Sequence, residues 1–227
     1  MIPPSARRRA RTALLVAALA PTLVLAGCGG GSGSSARKPA AATPSVSLPT
    51  GDVKVPSGVT LTKAGAQLKF GQVALVAYEP NTQKSSVLSV RVDSVQTGAI
   101  SEFSGYQLDA RAKQSRPYYV RYTVRNAGTG DLGRSPVPLL AVDARNTLIQ
   151  PSSFNNTFTR CPSTPLPASF GAGKVLRGCL VFLVPSNGRL TEMSYRPLQA
   201  FEPITWKGTI APVAKGSTKK SATKKNG

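Results

Sequence analysis

Any chemistry in this chain must be done without histidine, because none of its 227 residues is one. That removes the commonest general base and metal ligand, so the remaining motifs stand or fall on context. Gly128-Thr129-Gly130-Asp131-Leu132-Gly133 has the glycine spacing of a dinucleotide-binding turn and follows a predicted strand. Such a turn must open a helix whose N-terminus holds the pyrophosphate. Pro136 and Pro138 preclude that helix, and the stretch reads as a loop between strands. Ser35-Ala36-Arg37-Lys38 and Ser221-Ala222-Thr223-Lys224 both have the Ser-x-x-Lys spacing of a catalytic serine, but in segments expected to be disordered, where a nucleophile cannot be held in position. Asn155-Asn156-Thr157 spells a glycosylation sequon and no more. The acidic residues show no spacing that suggests a carboxylate pair or a calcium loop. The expectation is a chain without catalytic residues, metal or cofactor.

The three cysteines divide by position. Residues 1–11 are basic, Thr12 to Ala26 are almost wholly apolar, and Leu25-Ala26-Gly27-Cys28 follows, the layout of an export signal. An apolar run of about 15 residues broken by Pro21 is short against the roughly 20 that cross a bilayer. Leu-Ala-Gly-Cys resembles the bacterial lipobox, in which the cysteine sulfur receives a diacylglycerol and the signal is cut in front of it. Carried over, Cys28 becomes the lipidated first residue of the mature chain, bound to the membrane by acyl chains such as palmitate. Each buried methylene contributes about 0.8 kcal/mol to such an anchor. Arg8-Arg9 is followed by Ala10-Arg11 rather than an apolar stretch, a poor fit to the twin-arginine route. Cys161 and Cys179 remain free to pair in an oxidising compartment. Closing that loop stabilises a fold by roughly 3 kcal/mol on the chain-entropy estimate.

A formal net charge of +20 invites a nucleic-acid reading. However, Arg7, Arg8, Arg9 and Arg11 precede the predicted cut, and Lys215, Lys219, Lys220, Lys224 and Lys225 lie in a tail. Between Lys69 and Lys207 the count is 16 basic residues against 8 acidic, scattered rather than striped along the sequence, which argues against a nucleic-acid partner. The tail reads as a solvated, disordered end. Its sharper reading is an electrostatic contact with anionic head groups or an acidic wall polymer, at about 1 kcal/mol per lysine near a charged surface.

These pieces need positioning elements. From 28 to 66 the chain is rich in Gly, Ser, Ala, Pro and Thr and reads as a flexible tether. From 67 to 208 the apolar residues recur with the two-residue period of strands. Leu88, Val90 and Val92 alternate with Ser89, Arg91 and Asp93, and Tyr118, Val120, Tyr122 and Val124 alternate with Tyr119, Arg121, Thr123 and Arg125. Cys179 to Val184 is apolar throughout, as expected of a central strand covered on both faces. Further strands are predicted at 72–78, 139–143, 190–195 and 204–206, the last at an edge because of Pro203. A helical turn fits only within 100–113. About seven short strands with two cysteines predict an all-β immunoglobulin-like antiparallel sandwich, flanked by the signal (1–27), the linker (28–66) and the tail (209–227). On this alternation Tyr119 faces outward and is the best single candidate for a contact residue.

Three stretches are similar to a family of extracellular domains with a telokin-like immunoglobulin fold, frequent on actinobacterial lipoproteins. They are Tyr118 to Gly128, ending in Asn126-Ala127-Gly128; Ala141 to Asn146, with Asp143 in a turn; and Gly178 to Pro185. Arg145 stands where many members have Gly. The resemblance implies fold and location and brings no catalytic residues. The expected role is a non-catalytic binding or adaptor domain, lipid-anchored outside the membrane, for an envelope protein or an anionic wall polymer. The alternative is a solute- or lipid-binding lipoprotein serving a transporter.

Overall fold

The computed structural model describes Gly51 and residues 53–213. Cys28, the signal, most of the tether and the five tail lysines lie outside the described residues. In chain order the strands are β1 (Gln67–Lys69), β2 (Val73–Asn81), β3 (Lys84–Thr97), β4 (Arg116–Asn126), β5 (Leu140–Asp143), β6 (Leu148–Ile149), β7 (Val175–Val184), β8 (Leu190–Tyr195), β9 (Ile204–Lys207) and β10 (Ile210–Ala211). One sheet runs β10-β3-β4-β7, with β2 also paired to β3; the other runs β1-β9-β8-β5-β6. The chain crosses between the sheets from β4 to β5, β6 to β7 and β7 to β8, and β1 lies parallel beside β9. This is an immunoglobulin-like sandwich. A single-turn 3-10 helix (Ile100–Phe103) and a one-turn helix, α1 (Ala110–Lys113), fall where a helical turn was expected.

The two-residue period builds the core. Leu88, Val90, Val92, Tyr118, Val120, Tyr122, Val124, Leu180 and Phe182 point inward from the first sheet against Ala141, Met193, Tyr195, Ile204 and Trp206 of the second. At Asp93 the register on β3 slips: Val92 pairs with Tyr122 but Ser94 with Arg121. The extra residue is a bulge that lets Val92 and Val95, three positions apart, both face the core. Gly178, opposite Tyr122, lies under the phenol ring. A Cβ there would come 2.5 Å from Tyr122 Cζ, so the glycine makes room for the aromatic.

Four expectations need correction. The domain does not begin at 67. Val53 is buried with Ala77 and Val87; Val59 and Leu61 join it, and Thr62 N donates to Leu75 O at 2.8 Å. The segment 53–66 therefore lies along β2 and covers its edge, although its Gly and Pro content reads as linker. Nor does the domain end at 208, because β10 pairs in parallel with Val95 and Gln96 of β3. β9 is no edge strand: it lies between β1 and β8, and Pro203 merely precedes it and has no ladder bond to donate. β7 is an edge rather than a central strand, yet from Cys179 to Val184 both its faces are covered and its free side is met by a loop: Ser152 N donates to Val181 O and Ser163 N to Cys179 O.

The Asn-x-Gly end of β4 is a structural knot. The fully buried Asn126 amide accepts from Ser86 Oγ (2.6 Å) and Gly128 N (3.1 Å) and donates to Gly130 O (2.6 Å) and Phe170 O (2.7 Å). A Cβ at Gly130 would lie 2.0 Å from Ser85 O, so this loop needs its glycine for close packing against β3. The Asp143 turn works on the same principle: its Oδ1 accepts from Arg145 N and Thr147 N, which holds its carboxyl below the usual range. The left-handed residue there is Asn146, at φ 61°, and Arg145 has no need to be glycine. Asn126→Ala should leave several buried groups without partners and lower stability by about 2–4 kcal/mol, read from the urea midpoint at unchanged m-value.

Candidate functional site

The outward face of the first sheet is ordered in rows by strand register. Ala77 and Val87 form the first row, buried beneath Val53, Val59 and Leu61. Next come Leu75, Ser89, Arg125 and Val175; then Val73, Arg91, Thr123 and Arg177; then Ser94, Arg121 and Cys179; then Gln96, Tyr119 and Val181. The last row is buried again.

Tyr119 therefore corrects the expectation made of it. It does face away from the sandwich core, but it is only 3% exposed and cannot serve as a free contact residue. Phe103, Phe158, Tyr106 and Phe154 pile over it, with Phe103 and Phe158 stacked at 4.6 Å between ring centres. The cover is fastened at three points. Cys161, on the covering loop, is joined to Cys179 of β7. Arg160 Nη1 donates to Glu102 Oε1 at 3.2 Å and its guanidinium lies 5.3 Å from the centre of the Tyr119 ring. The Tyr119 hydroxyl donates to Glu102 Oε2. The disulfide thus lies outside the sandwich core and ties a second layer to the sheet.

Between the two covered ends lies an open strip. Arg121, Arg125 and Arg177 are exposed on it and make no ion pair among the described residues, while Arg91 bonds Asp93 Oδ1 at 2.5 Å and Thr123 Oγ1 at 3.2 Å. Thr123 in turn donates to Asp93 Oδ2 at 2.7 Å. Arg121 and Arg125, four residues apart on one strand, stand about 14 Å from each other, with Arg177 on the neighbouring strand between them. Four guanidinium groups against one carboxylate leave this surface cationic. The charge that looks scattered in sequence is gathered by the pleat, which sends positions 121, 123 and 125 to one side.

The rejected dinucleotide motif is a loop, as expected. The Asp131 carboxylate accepts from Phe170 N (2.6 Å) and Gly133 N (2.9 Å), bonds that hold its pKa low and fold the loop on itself. The described residues contain no group of three His, Cys, Asp or Glu that could hold a metal ion, and no helix among them is long and apolar enough to cross a membrane.

With an immunoglobulin-like sandwich and a cationic sheet face established, likeness to known proteins can be weighed. No family model matches the chain, and no curated protein matches it. The telokin-like resemblance drawn from three stretches thus has no family match behind it. Among solved structures, a secreted protein of Mycobacterium tuberculosis, MPT63, is similar at 15% identity and a TM-score of 0.43, over 63% of this chain and 96% of that one. A Bacillus subtilis protein described as a lipoprotein, YcdA, is similar at 16% identity and a TM-score of 0.38; 56% of this chain matches, spanning 38% of that one. At such scores neither bears on function.

Burial raises the phenols of Tyr78, Tyr195 and Tyr119, the last also through the Glu102 carboxylate it bonds, and pushes Tyr122 to about 12. A phenol whose folded pKa exceeds its unfolded value of about 10 gives its full stabilisation below pH 10 and loses it as pH rises toward the folded value. The urea midpoint should accordingly fall steeply above pH 10. Tyr119→Phe should shallow that fall; an unchanged slope would mean that Tyr119 ionises as freely in the folded chain as in the unfolded one.

Proposed function

We propose that the chain is a membrane-anchored extracytoplasmic lipoprotein whose sandwich is a non-catalytic binding domain for an anionic wall polymer. The observation that carries the reading is the arginine strip: Arg121, Arg125 and Arg177, exposed and without an ion pair among the described residues, on a sheet face covered at both ends. A guanidinium is always charged and presents a planar fork of donors that fits phosphate or carboxylate oxygens in pairs. A sheet face sets such forks at regular intervals, which suits a linear polymer bearing one anionic group per repeat better than a compact ligand. The signal layout ahead of Cys28 supports export and lipidation at that residue, and with them a partner outside the membrane. The want of histidine, and of any nucleophile beside a base in the motifs, supports a binding rather than a catalytic role. The lysine tail, Lys215 to Lys225, adds attraction of the same sign.

The test is retention of the purified 67–213 region together with its covering 53–66 segment on immobilised poly(glycerol phosphate). Wild type should be retained and released as salt rises. The triple variant Arg121→Gln/Arg125→Gln/Arg177→Gln should bind at least about tenfold more weakly, since each charged hydrogen bond lost costs roughly 1.5–3 kcal/mol in a desolvated contact and less where water screens it. Equal retention of the triple variant, or binding that salt does not weaken, would refute the strip as the binding face. In cells, Cys28→Ala should abolish incorporation of an alkynyl palmitate label.

A further inference from the structure

A second concavity lies away from the arginine strip, and its lining is of a different kind. It opens between the end of β2, residues 134–140 leading into β5, the irregular segments 150–153 and 163–165, and the turn after β8, with a volume of about 750 Å³. That is within the range of roughly 300–1,000 Å³ found for small-ligand sites. Leu139, Leu180 and Tyr195 of the main core lie beneath the concavity but are 3% exposed or less, so the apolar surface it offers is that of its prolines. Its rim carries six prolines, Pro80, Pro136, Pro138, Pro151, Pro165 and Pro197. Proline fixes φ and has no N–H to donate, so this rim is rigid and offers no backbone donor at six positions. A rim already ordered costs a ligand little in lost chain freedom.

Beside the polar side chains of Gln150, Ser153 and Thr164, the lining carries two cationic donors, Arg134 and Arg196, and neither forms an ion pair among the described residues. Arg196 spends Nη2 on Gln199 O, but its Nε is shielded from water and has no acceptor. Backbone strain gathers at the same place: Arg134 (φ 63°) and Ser163 (φ 53°), both lining the cleft, are two of the five non-glycine residues with left-handed backbone among the described residues. Residues held so at a cost of about 1–3 kcal/mol each cluster at ligand-binding surfaces. Glu79 is the one acidic residue of the lining, so the cleft is cationic as well as proline-rimmed.

We infer that this cleft is a binding site for a small amphiphilic anion, with its apolar body against the proline rings of the lining and its acidic head on Arg134 and Arg196. The site is independent of the arginine strip. It differs in that its affinity comes from burying an apolar body as well as from charge, so it discriminates among anions by what they carry behind the head group.

The experiment uses 8-anilinonaphthalene-1-sulfonate, an aromatic amphiphilic anion that fluoresces when shielded from water, titrated into the folded protein. One saturable site per chain is expected. Arg196→Gln and Arg134→Gln should each weaken it, and together by at least about tenfold, the equivalent of 1.4 kcal/mol. The Arg121→Gln/Arg125→Gln/Arg177→Gln variant should bind the dye as wild type does, which separates this site from the strip. On the wild-type protein, decanoate should displace the dye at far lower concentration than decanol. Unsaturable uptake, undiminished binding in the paired Arg196 and Arg134 variant, loss of binding only in the strip variant, or equal displacement by decanoate and decanol would each overturn the assignment.

Discussion

The fold and its outer sheet face depend on the register of one strand. β4 is paired along its whole length with β3 on one side and β7 on the other. Its even positions, Tyr118, Val120, Tyr122, Val124 and Asn126, fill the sandwich; its odd positions, Tyr119, Arg121, Thr123 and Arg125, make the outer face. Because the side-chain period is two, a slip of one residue would exchange these sets and drive Arg121 and Arg125 into a core containing Trp206 and Phe182. The cost of burying unpaired guanidinium groups makes that alternative inaccessible. The Asn126 knot fixes the end of the strand, so register and loop are specified together.

An outward sheet face this wide must be either wetted or covered, and here the chain does both. At one end the segment 53–61 covers it with aliphatic side chains; at the other the loop carrying Phe154, Phe158 and Cys161 covers it with aromatic ones. The aromatic layer cannot be held by apolar contact alone without leaving polar atoms stranded. Glu102 therefore accepts from both Arg160 and the Tyr119 hydroxyl, and the disulfide fastens the loop to β7. The same loop meets the free backbone of β7, which would otherwise offer a strand edge to other chains.

The period-two pattern made the strands and their buried faces legible, since alternation depends only on neighbours in sequence. The bulge at Asp93 was not legible, because nothing near it distinguishes the residue that drops out of register from the one that keeps it. Tyr119 shows the limit more sharply: alternation gives the side of the sheet a residue faces, and says nothing of what another segment lays over that side. Phe103 and Phe158, which cover it, lie 16 positions before and 39 after. The run from Val53 to Leu61 was misread for a related reason: its glycines and prolines count as linker by composition, whereas its few valines find a groove beside β2 that only the folded sheet supplies. The grouping of Arg121, Arg125 and Arg177 is likewise a property of cross-strand register and not of spacing along the chain.

Arginine suits the two surfaces for opposite reasons. On the open strip the guanidinium groups stay hydrated, their attraction for an anion is screened by salt, and specificity comes from spacing set by the pleat. In the proline-rimmed cleft Arg134 and Arg196 stand beside apolar ring surface, so a ligand there would bury an apolar body as well as meet a charge. Water next to the strip would compete with any single contact, which favours many weak contacts over a few strong ones; the cleft reverses that preference. A domain with both could be held along a polymer through the one while selecting a small molecule through the other, the two sites sharing β7, which carries Arg177 on the strip and Leu180 beneath the cleft.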